Sequence, residues 1–274
     1  MTRHRTLFLS DFHLGSRLAK VEHLLDFLDR NDAETIYLVG DIWDIKRLKR
    51  IFYWPESHQQ VIRALRAKAR AGTRIVIVPG NHDPELRKRA GARAWLPGVE
   101  IAQEAVHETA DGRRFLVTHG DLYEPPRGEA GMSFKLGILA YLLGVKTNER
   151  IAAVRRRLGL GWWSLSVFLK DRLLERVRIA RQYKLNLVAA ARDRGFDGVI
   201  SGHIHHARIE TIDGIVYAND GDWVESNTAL AEDADGRLRL IYWTGARDLR
   251  VGVTDAYHTA GAGLDPAPGT ASTT

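Results

Sequence analysis

The chain contains no cysteine. Disulfide bonds, thiolate zinc sites and cysteine nucleophiles are therefore excluded, and any metal ion must be held by nitrogen and oxygen donors. The apolar run at residues 134–145 contains a lysine and is too short to span a bilayer. The first residues, "MTRHRTLFLSD", hold too few apolar side chains for a secretory signal. We therefore expect a cytoplasmic protein, with peripheral contact to the cytoplasmic face of a membrane as a variant of that expectation.

Size and composition favour one large globular domain that carries an insertion, because the chain has 274 residues, 45% hydrophobic and 27% charged. The formal charge of +6 is unevenly distributed, since residues 146–194 hold thirteen Lys/Arg against four Asp/Glu. Such a segment is either the solvated face of long helices or a surface that attracts phosphates, nucleic acid or anionic lipid.

The first third of the sequence repeats a strand, a polar loop and a helix. "TLFLS" leads into "DFHLG" and a helix over 21–30, "TIYLVG" leads into "DIWD" and a helix over about 56–71, and "RIVIVPG" leads into "NHD". This alternation predicts βαβ units in an α/β layered fold. Ligands of such folds gather beyond the carboxyl ends of the strands.

Later in the chain, Asp-Gly turns at 111–112, 213–214 and 235–236 are flanked by strand-like runs and predict hairpins of a second sheet. Residues 125–195 are mostly helical in pattern, and we interpret them as an insertion that forms a lid. The folded domain is expected to cover residues 1–254. The Ala-, Gly- and Pro-rich residues 255–274 are expected to form a disordered tail.

Loops that follow the apolar runs carry metal-binding side chains. The seven candidate ligands are Asp11, His13, Asp41, Asn81, His119, His203 and His205. Imidazole with carboxylate and amide oxygen suits manganese, iron or zinc better than magnesium or calcium. Seven ligands are too many for one ion, so we expect two divalent ions that share a bridging carboxylate. In "GHIHH" the alternation of extended backbone lets the first and second histidines face the site while His206 faces elsewhere.

A lone D-x-H or H-x-H segment is usually a surface polar cluster. Five such segments, each placed after a strand pattern, are difficult to obtain in that way, so the metal interpretation is favoured. The motif order D-x-H, GD-x-x-D, GNHD, HG and GH-x-H over residues 11–205 resembles the calcineurin-like metallophosphoesterase superfamily. The resemblance implies a two-sheet α/β sandwich flanked by helices and a hydrolase that uses water as the nucleophile.

The same resemblance implies a role for each residue. Asp11, His13 and His205 would hold one metal, Asn81, His119 and His203 the other, and Asp41 would bridge them. His82 would donate a proton to the leaving oxygen, and Asp44 would orient that imidazole. Packing of His82 within its loop is the competing interpretation.

The wording around the motifs is most similar to the UDP-2,3-diacylglucosamine hydrolase group of lipid A synthesis. That resemblance implies a nucleotide-linked glycolipid substrate, with manganese as the commonest metal, although members of the group tend to carry Arg at the position of His82. Arg47 and Lys49, in "KRLKR", are candidates for binding substrate phosphate, or else part of a solvated helix face. Trp162 and Trp163 are candidates for binding an acyl chain, or else pack between helices.

Two rival functions stay open. A soluble nucleotide phosphodiesterase or nuclease would use the basic segment to hold a polyanion, with nucleic acid a less favoured partner than a glycolipid. A non-catalytic scaffold would not require all seven ligands and His82 together. The segment "GDWVES" is interpreted as a turn, and the alternative places Asn219, Asp222 or Glu225 beside the ligands and Trp223 against the substrate.

Overall fold

The computed structural model describes residues 1–91, 98–125 and 178–243. Within these residues the strands are β1 (Thr2–Leu9), β2 (Asn31–Val39), β3 (Arg74–Val78), β4 (Val99–Ile101), β5 (Ala105–Glu108), β6 (Arg114–Val117), β7 (Gly198–Ser201), β8 (Arg208–Ile212), β9 (Ile215–Asn219), β10 (Thr228–Glu232) and β11 (Leu238–Tyr242). The α-helices are α1 (Val21–Arg30), α2 (Ile45–Leu48), α3 (Glu56–Arg70) and α4 (Arg178–Asp193), and short 3₁₀ helices cover Pro84–Arg89 and Asp121–Tyr123.

The strands form two sheets. The first has the order β11-β10-β1-β2-β3-β4. In it β1 to β4 run parallel to one another, β10 is antiparallel to β1, and β11 is antiparallel to β10. The second has the order β5-β6-β7-β9-β8, with β6, β7 and β9 parallel. The predicted two-sheet α/β architecture is therefore confirmed, and all three predicted Asp-Gly turns close hairpins of these sheets.

The central strands of the first sheet are apolar on both faces because both faces are covered. In β1, Leu7 and Leu9 pack toward helices α1 and α3, whereas Phe8 packs between the two sheets. Tyr37 of β2 stacks on Phe8 with ring centroids 5.0 Å apart and faces the same inter-sheet layer. This alternation has the period of two expected for strands. It fixes the register, because a slip of one residue would exchange the two faces.

Helix α4 packs on the outer face of the second sheet through Tyr183, Leu187, Val188 and Ala191. It lies within residues 125–195, which the sequence pattern assigned to an insertion over the strand ends. The end of that segment instead belongs to the sandwich, because its apolar stripe has a partner in β6, β7 and β9. Most of the predicted lid and the predicted tail lie outside the described residues. No helix in the described part of the chain is long and apolar enough to cross a membrane.

Candidate metal centre

The carboxyl ends of five strands bring the candidate ligands to one edge of the sandwich. β1, β2 and β3 of the first sheet lead into Asp11, Asp41 and Asn81, and β6 and β7 of the second sheet lead into His119 and His203. Parallel strands deliver their ends to the same edge, so donors far apart in sequence lie close in space. The site is therefore built from both sheets.

One group of donors consists of Asp11, His13 and His205. His205 Nε2 lies 2.9 Å from Asp11 Oδ1, and His13 Nε2 lies 3.6 Å from the same oxygen. The two imidazole Nε2 atoms are 3.3 Å apart. Three donor atoms within 4.8 Å of one another are a suitable arrangement for a single cation.

The second group consists of Asp41, His119 and His203. His119 Nε2 lies 3.4 Å from Asp41 Oδ2, and the rings of His119 and His203 are 5.1 Å apart. Asp41 Oδ2 is also 3.9 Å from His13 Nε2, so this carboxylate faces both groups. His206, which the sequence placed outside the shell, is buried and belongs to neither group.

Three ligand atoms of this centre are buried without a hydrogen-bond partner among the described residues. They are Asp11 Oδ1, Asn81 Oδ1 and His119 Nε2. Asp11 Oδ1 and His119 Nε2 have ion-pair contacts with other candidate ligands, His205 Nε2 at 2.9 Å and Asp41 Oδ2 at 3.4 Å, but no hydrogen bond of good geometry. An unsatisfied buried polar atom costs about 1–3 kcal/mol, so three of them in one place call for a ligand. His119 Nδ1 lies 2.8 Å from the Val39 carbonyl oxygen and donates to it, which leaves Nε2 to bind a proton or a metal. All three atoms are nitrogen or oxygen, which fits a divalent cation such as manganese, iron or zinc.

The backbone of the ligand loops is strained in a common way. Positive φ angles occur at Asp11 (54°), His13 (49°), Asp41 (53°), His203 (70°) and His205 (52°). Residues with a Cβ rarely adopt this left-handed region, and such outliers gather at functional sites. Backbone hydrogen bonds hold the conformation, since Asp11 N donates to Gly40 O at 3.0 Å and His13 N donates to Asp41 O at 2.9 Å.

Glycine stands directly before three of the ligands, Asp41, Asn81 and His203, because the loops approach one another closely. A Cβ on Gly80 would lie 2.2 Å from Asp41 Oδ1 and 2.5 Å from Asp41 N. A Cβ on Gly202 would lie 2.6 Å from Asp11 Oδ2. The glycines of "GNHD" and "GHIH" therefore provide the space in which the carboxylates of the neighbouring loops sit.

The carboxylates and imidazoles of the centre shift one another's pKa values. Burial raises the pKa of Asp11, but His205 and His13 outweigh it and hold that pKa well below its usual range. Burial also raises the pKa of Asp41, but the neighbouring imidazoles, chiefly His119, lower that pKa to about 2. In His119 burial lowers the pKa, but Asp41 raises it to about 10. A metal ion must therefore displace a proton from His119, so its binding is weakened by acid.

His82 and Asp44 lie beside the first group of donors. His82 Nδ1 is 2.9 Å from Asp44 Oδ1, and the His82 ring meets the His13 ring edge-on at 4.8 Å. Burial raises the pKa of Asp44, but the hydrogen bond and charge of His82, the Arg47 backbone N–H and the charge of His13 together outweigh it and lower that pKa. Asp44 is therefore an acceptor, and His82 Nδ1 donates to it. This bond fixes the orientation of the imidazole, and the backbone N–H of His82 donates to Asp41 Oδ1 at 2.7 Å.

Other buried side chains support the ligand loops and were not assigned from the sequence. Asp83 accepts from Gly80 N at 2.6 Å and from Ile42 N at 2.9 Å, and so ties two ligand loops together. The Ser10 hydroxyl lies 2.5 Å from Asp11 Oδ2 and 2.7 Å from Asp220 Oδ1. Asp83 is the last residue of the motif "GNHD", so the sequence places it beside the ligand Asn81. The partnership of Ser10 with Asp220 had no sequence signal.

The segment "GDWVES" behaves largely as the turn that was predicted. Asp222 accepts backbone N–H groups of the turn and lies 3.9 Å from His205 Nδ1. Asn219 Nδ2 donates to the Gly202 carbonyl at 2.6 Å, beside a ligand loop. Trp223 is buried against Phe27 of α1 and is therefore not a substrate contact.

The predicted substrate-binding residues are only partly described. Arg47 is exposed on α2, next to the loop of Asp44, whose carboxylate accepts the Arg47 backbone N–H at 3.1 Å. Lys49 is exposed and forms an ion pair with Glu85. Trp162 and Trp163 lie outside the described residues. The structure thus places the two basic residues beside the candidate catalytic loop.

Comparison with known proteins gives a consistent family. Residues 4–207 match the calcineurin-like phosphoesterase family. A UDP-2,3-diacylglucosamine hydrolase of Xanthomonas campestris pv. campestris is 26% identical over 256 residues, covering 84% of this chain and 96% of the relative. The hydrolase of the same name from Chromohalobacter salexigens is 28% identical over 253 residues, covering 85% of this chain and 96% of the relative.

Among solved structures, the chain is similar to Yfce, a phosphoesterase from E. coli, at 18% identity and a TM-score of 0.43. The match covers 86% of this chain and 91% of Yfce. Vps29 from Entamoeba histolytica complexed with zinc has 16% identity and a TM-score of 0.42, covering 86% of this chain and 89% of that structure.

Proposed function

The chain belongs to the calcineurin-like phosphoesterase family and is a hydrolase of phosphoester or diphosphate bonds, and from that premise we propose a dinuclear-metal pyrophosphatase. Its substrate is a nucleotide-linked glycolipid of the UDP-2,3-diacylglucosamine type. The arrangement of the donors supports two ions, since Asp41 faces both donor groups and three buried ligand atoms make no hydrogen bond among the described residues. We regard those three atoms as the strongest single support.

Each ion has a proposed set of ligands. Asp11, His13 and His205 hold one ion, Asn81, His119 and His203 hold the other, and Asp41 is shared between them. When bound, the two divalent ions supply a water nucleophile at neutral pH and neutralise charge on the phosphoryl oxygens. Manganese is the metal that we propose, with iron or zinc as the alternatives, because the donor set mixes imidazole with hard oxygen.

His82 is proposed as the group that donates a proton to the leaving oxygen. Asp44 accepts from Nδ1, and the ring is partly exposed at the rim of the centre, with a side-chain exposure of 33%. Because Asp44 occupies Nδ1, the other nitrogen, Nε2, is the one that hands the proton over. A general acid of this kind contributes typically 10²–10⁴-fold to the rate.

The substrate class is proposed from the named relatives, two of which are UDP-2,3-diacylglucosamine hydrolases that match 84–85% of this chain. Arg47 and Lys49 are proposed to contact the phosphates, and Trp162 and Trp163 an acyl chain. A diacylated substrate resides in a bilayer, so we place the reaction at the cytoplasmic face of a membrane.

The substrate is tested with manganese-loaded protein and a panel of compounds. The panel contains UDP-2,3-diacylglucosamine in mixed micelles, UDP-N-acetylglucosamine, single-stranded DNA and bis(p-nitrophenyl) phosphate. We expect release of UMP from the lipid to dominate. Faster cleavage of DNA or of soluble nucleotides would instead assign the chain to the nucleotide phosphodiesterases, and no turnover of any compound would contradict the enzymatic proposal.

The role of His82 is tested with His82→Ala and Asp44→Asn. We expect kcat to fall by about 10²-fold or more in His82→Ala while the bound manganese, measured by elemental analysis, stays at the level of the parent protein. Asp44→Asn keeps the size of the side chain and is expected to lower kcat less. Loss of manganese from His82→Ala would show instead that His82 supports the ligand shell.

A further inference from the structure

Three large apolar side chains stand exposed on two adjoining loops. Leu18 is 52% exposed, Ile51 68% and Phe52 80%, and together we call them the apolar tip. The two loops contact each other, because the Arg17 guanidinium lies 5.1 Å from the centre of the Tyr53 ring. Exposed apolar groups of this size cost solvation free energy, and a concentration of them marks a contact surface.

The tip follows directly from the candidate catalytic loop. Helix α2 begins after Asp44, the hydrogen-bond partner of His82, and Ile45 N donates to the His82 carbonyl at 3.1 Å. The chain reaches Ile51 and Phe52 only a few residues after this helix. A surface that binds the tip is therefore brought close to the candidate metal centre.

Basic side chains are frequent on the segments that adjoin the tip. The ion pair between Lys49 and Glu85 places the 3₁₀ helix Pro84–Arg89 beside α2. Apart from Arg47 and Lys49, which are proposed to contact the substrate phosphates, the exposed cations on these segments and on the loop of Leu18 are Arg17, Lys46, Arg50, Lys88 and Arg89. Exposed apolar side chains on segments rich in exposed cations are typical of proteins that lie in the interface of an anionic bilayer.

We infer that the apolar tip and these cations dock on an anionic lipid surface, an inference that rests on the proposed glycolipid substrate. The tip inserts Ile51 and Phe52 among the acyl chains while the cations contact the headgroups. Single-stranded nucleic acid is a poorer fit, because stacking of successive bases requires several exposed flat rings and Phe52 is the single aromatic member of the tip. Here Tyr53 is engaged by Arg17, and Trp54 packs on the core and donates from Nε1 to Gln59.

Insertion is measured with a single fluorescent label, since the chain has no cysteine that would compete for it. Phe52→Cys and, as the matched control, Val106→Cys are labelled with an environment-sensitive fluorophore. Val106 is 45% exposed on β5 of the other sheet. Vesicles of mixed phosphatidylglycerol and phosphatidylcholine are expected to shift the emission of the label at position 52 to the blue and to leave the label at position 106 unchanged.

Binding is measured by sedimentation with the same vesicles. The double variant Ile51→Ser/Phe52→Ser is expected to bind at least about tenfold more weakly than the parent protein, because two large apolar side chains no longer insert. Val106→Ser is expected to bind like the parent protein. Binding of the parent protein is expected to weaken with salt and with pure phosphatidylcholine vesicles.

Hydrolysis of water-soluble bis(p-nitrophenyl) phosphate separates this inference from the proposed function. The double variant is expected to keep the parent rate on that compound, while vesicle binding and hydrolysis of bilayer-embedded substrate fall together. Equal vesicle binding by parent and double variant overturns the docking surface even if the enzyme cleaves the glycolipid. Binding of DNA that the double variant loses, or a dimer in sedimentation velocity that it dissolves, also overturns the inference by assigning the tip to another partner. Intact vesicle binding with no hydrolysis of glycolipid would count against the proposed function alone.

Discussion

Gly80→Ala tests whether the space beside Asp41 is essential. The added Cβ would lie 2.2 Å from Asp41 Oδ1 and 2.5 Å from Asp41 N, whereas ordinary contacts begin at 3.4 Å. One of the two loops must therefore shift by roughly 1 Å. A displacement of that size in an active site can lower the reaction rate about 10²-fold. Rotation of the Asp41 side chain cannot relieve the clash, because one of the two atoms is a backbone nitrogen.

The expected result is a kcat about 10²-fold lower for manganese-dependent hydrolysis of bis(p-nitrophenyl) phosphate, together with weaker manganese binding by calorimetry. Overpacking is also expected to lower the free energy of unfolding by about 1–3 kcal/mol. Both quantities are measured on the same preparation, the second by urea denaturation.

Gly72→Ala is the matched control, since a Cβ there meets nothing within 4 Å but the φ of +104° is unfavourable for alanine. It is expected to cost about 1–2 kcal/mol of stability and to leave kcat and manganese affinity unchanged. The reasoning is refuted if Gly80→Ala retains the parent kcat at the same manganese concentration. It is equally refuted if Gly72→Ala loses as much activity, because the loss would then reflect general destabilisation.

Four further substitutions address three acidic side chains. Ser10 has one hydroxyl proton, which it gives to Asp11 only if a neutral Asp220 donates to Ser10 in turn. Asp220→Ala is therefore expected to weaken manganese binding about tenfold, and Asp220→Asn, which keeps a donor, to weaken it much less. Equal losses of manganese affinity in calorimetry would contradict this chain of hydrogen bonds. Burial raises the pKa of Glu225 to about 7, so the folded state prefers the protonated acid. The free energy of unfolding is therefore expected to fall as the pH rises from about 4.5 to 7, and urea titrations of Glu225→Gln should lack this slope. Glu232 is fully buried and accepts from Thr6 Oγ and His107 Nε2, so Glu232→Ala is expected to lower the unfolding free energy by about 3–5 kcal/mol, and a change below about 1 kcal/mol would be inconsistent with that network.

Much of the site could be anticipated because its chemistry leaves local traces. Asp11 and His13 occupy one short segment, His203 and His205 another, and each segment directly follows an apolar run. Parallel strands convert that local placement into proximity, since their carboxyl ends meet at one edge. The two-sheet architecture follows from the same alternation and from the Asp-Gly turns. The proximity of these donors was therefore predictable without coordinates, whereas their occupation by metal stays a proposal.

The supporting contacts could not be anticipated for a physical reason. Ser10 and Asp220 are separated by 210 positions, and an isolated aspartate in a loop has the same sequence signature as a turn residue. Helix α4 shows a second limit, because periodicity reveals that a helix has an apolar side but not which surface covers it. Tyr183 of that helix packs on the outer face of the second sheet, whereas most of the predicted lid lies outside the described residues.

The origin of the donors in two separate sheets has a consequence for a protein that has no disulfides. Asp11 and Asp41 belong to loops of the first sheet and His119 and His203 to loops of the second, so a cation held by both sets would clamp the layers as a covalent cross-link does elsewhere. Heat resistance then depends on the chelator content of the buffer, and a preparation stripped of its ions would melt earlier without the loss of a single core contact.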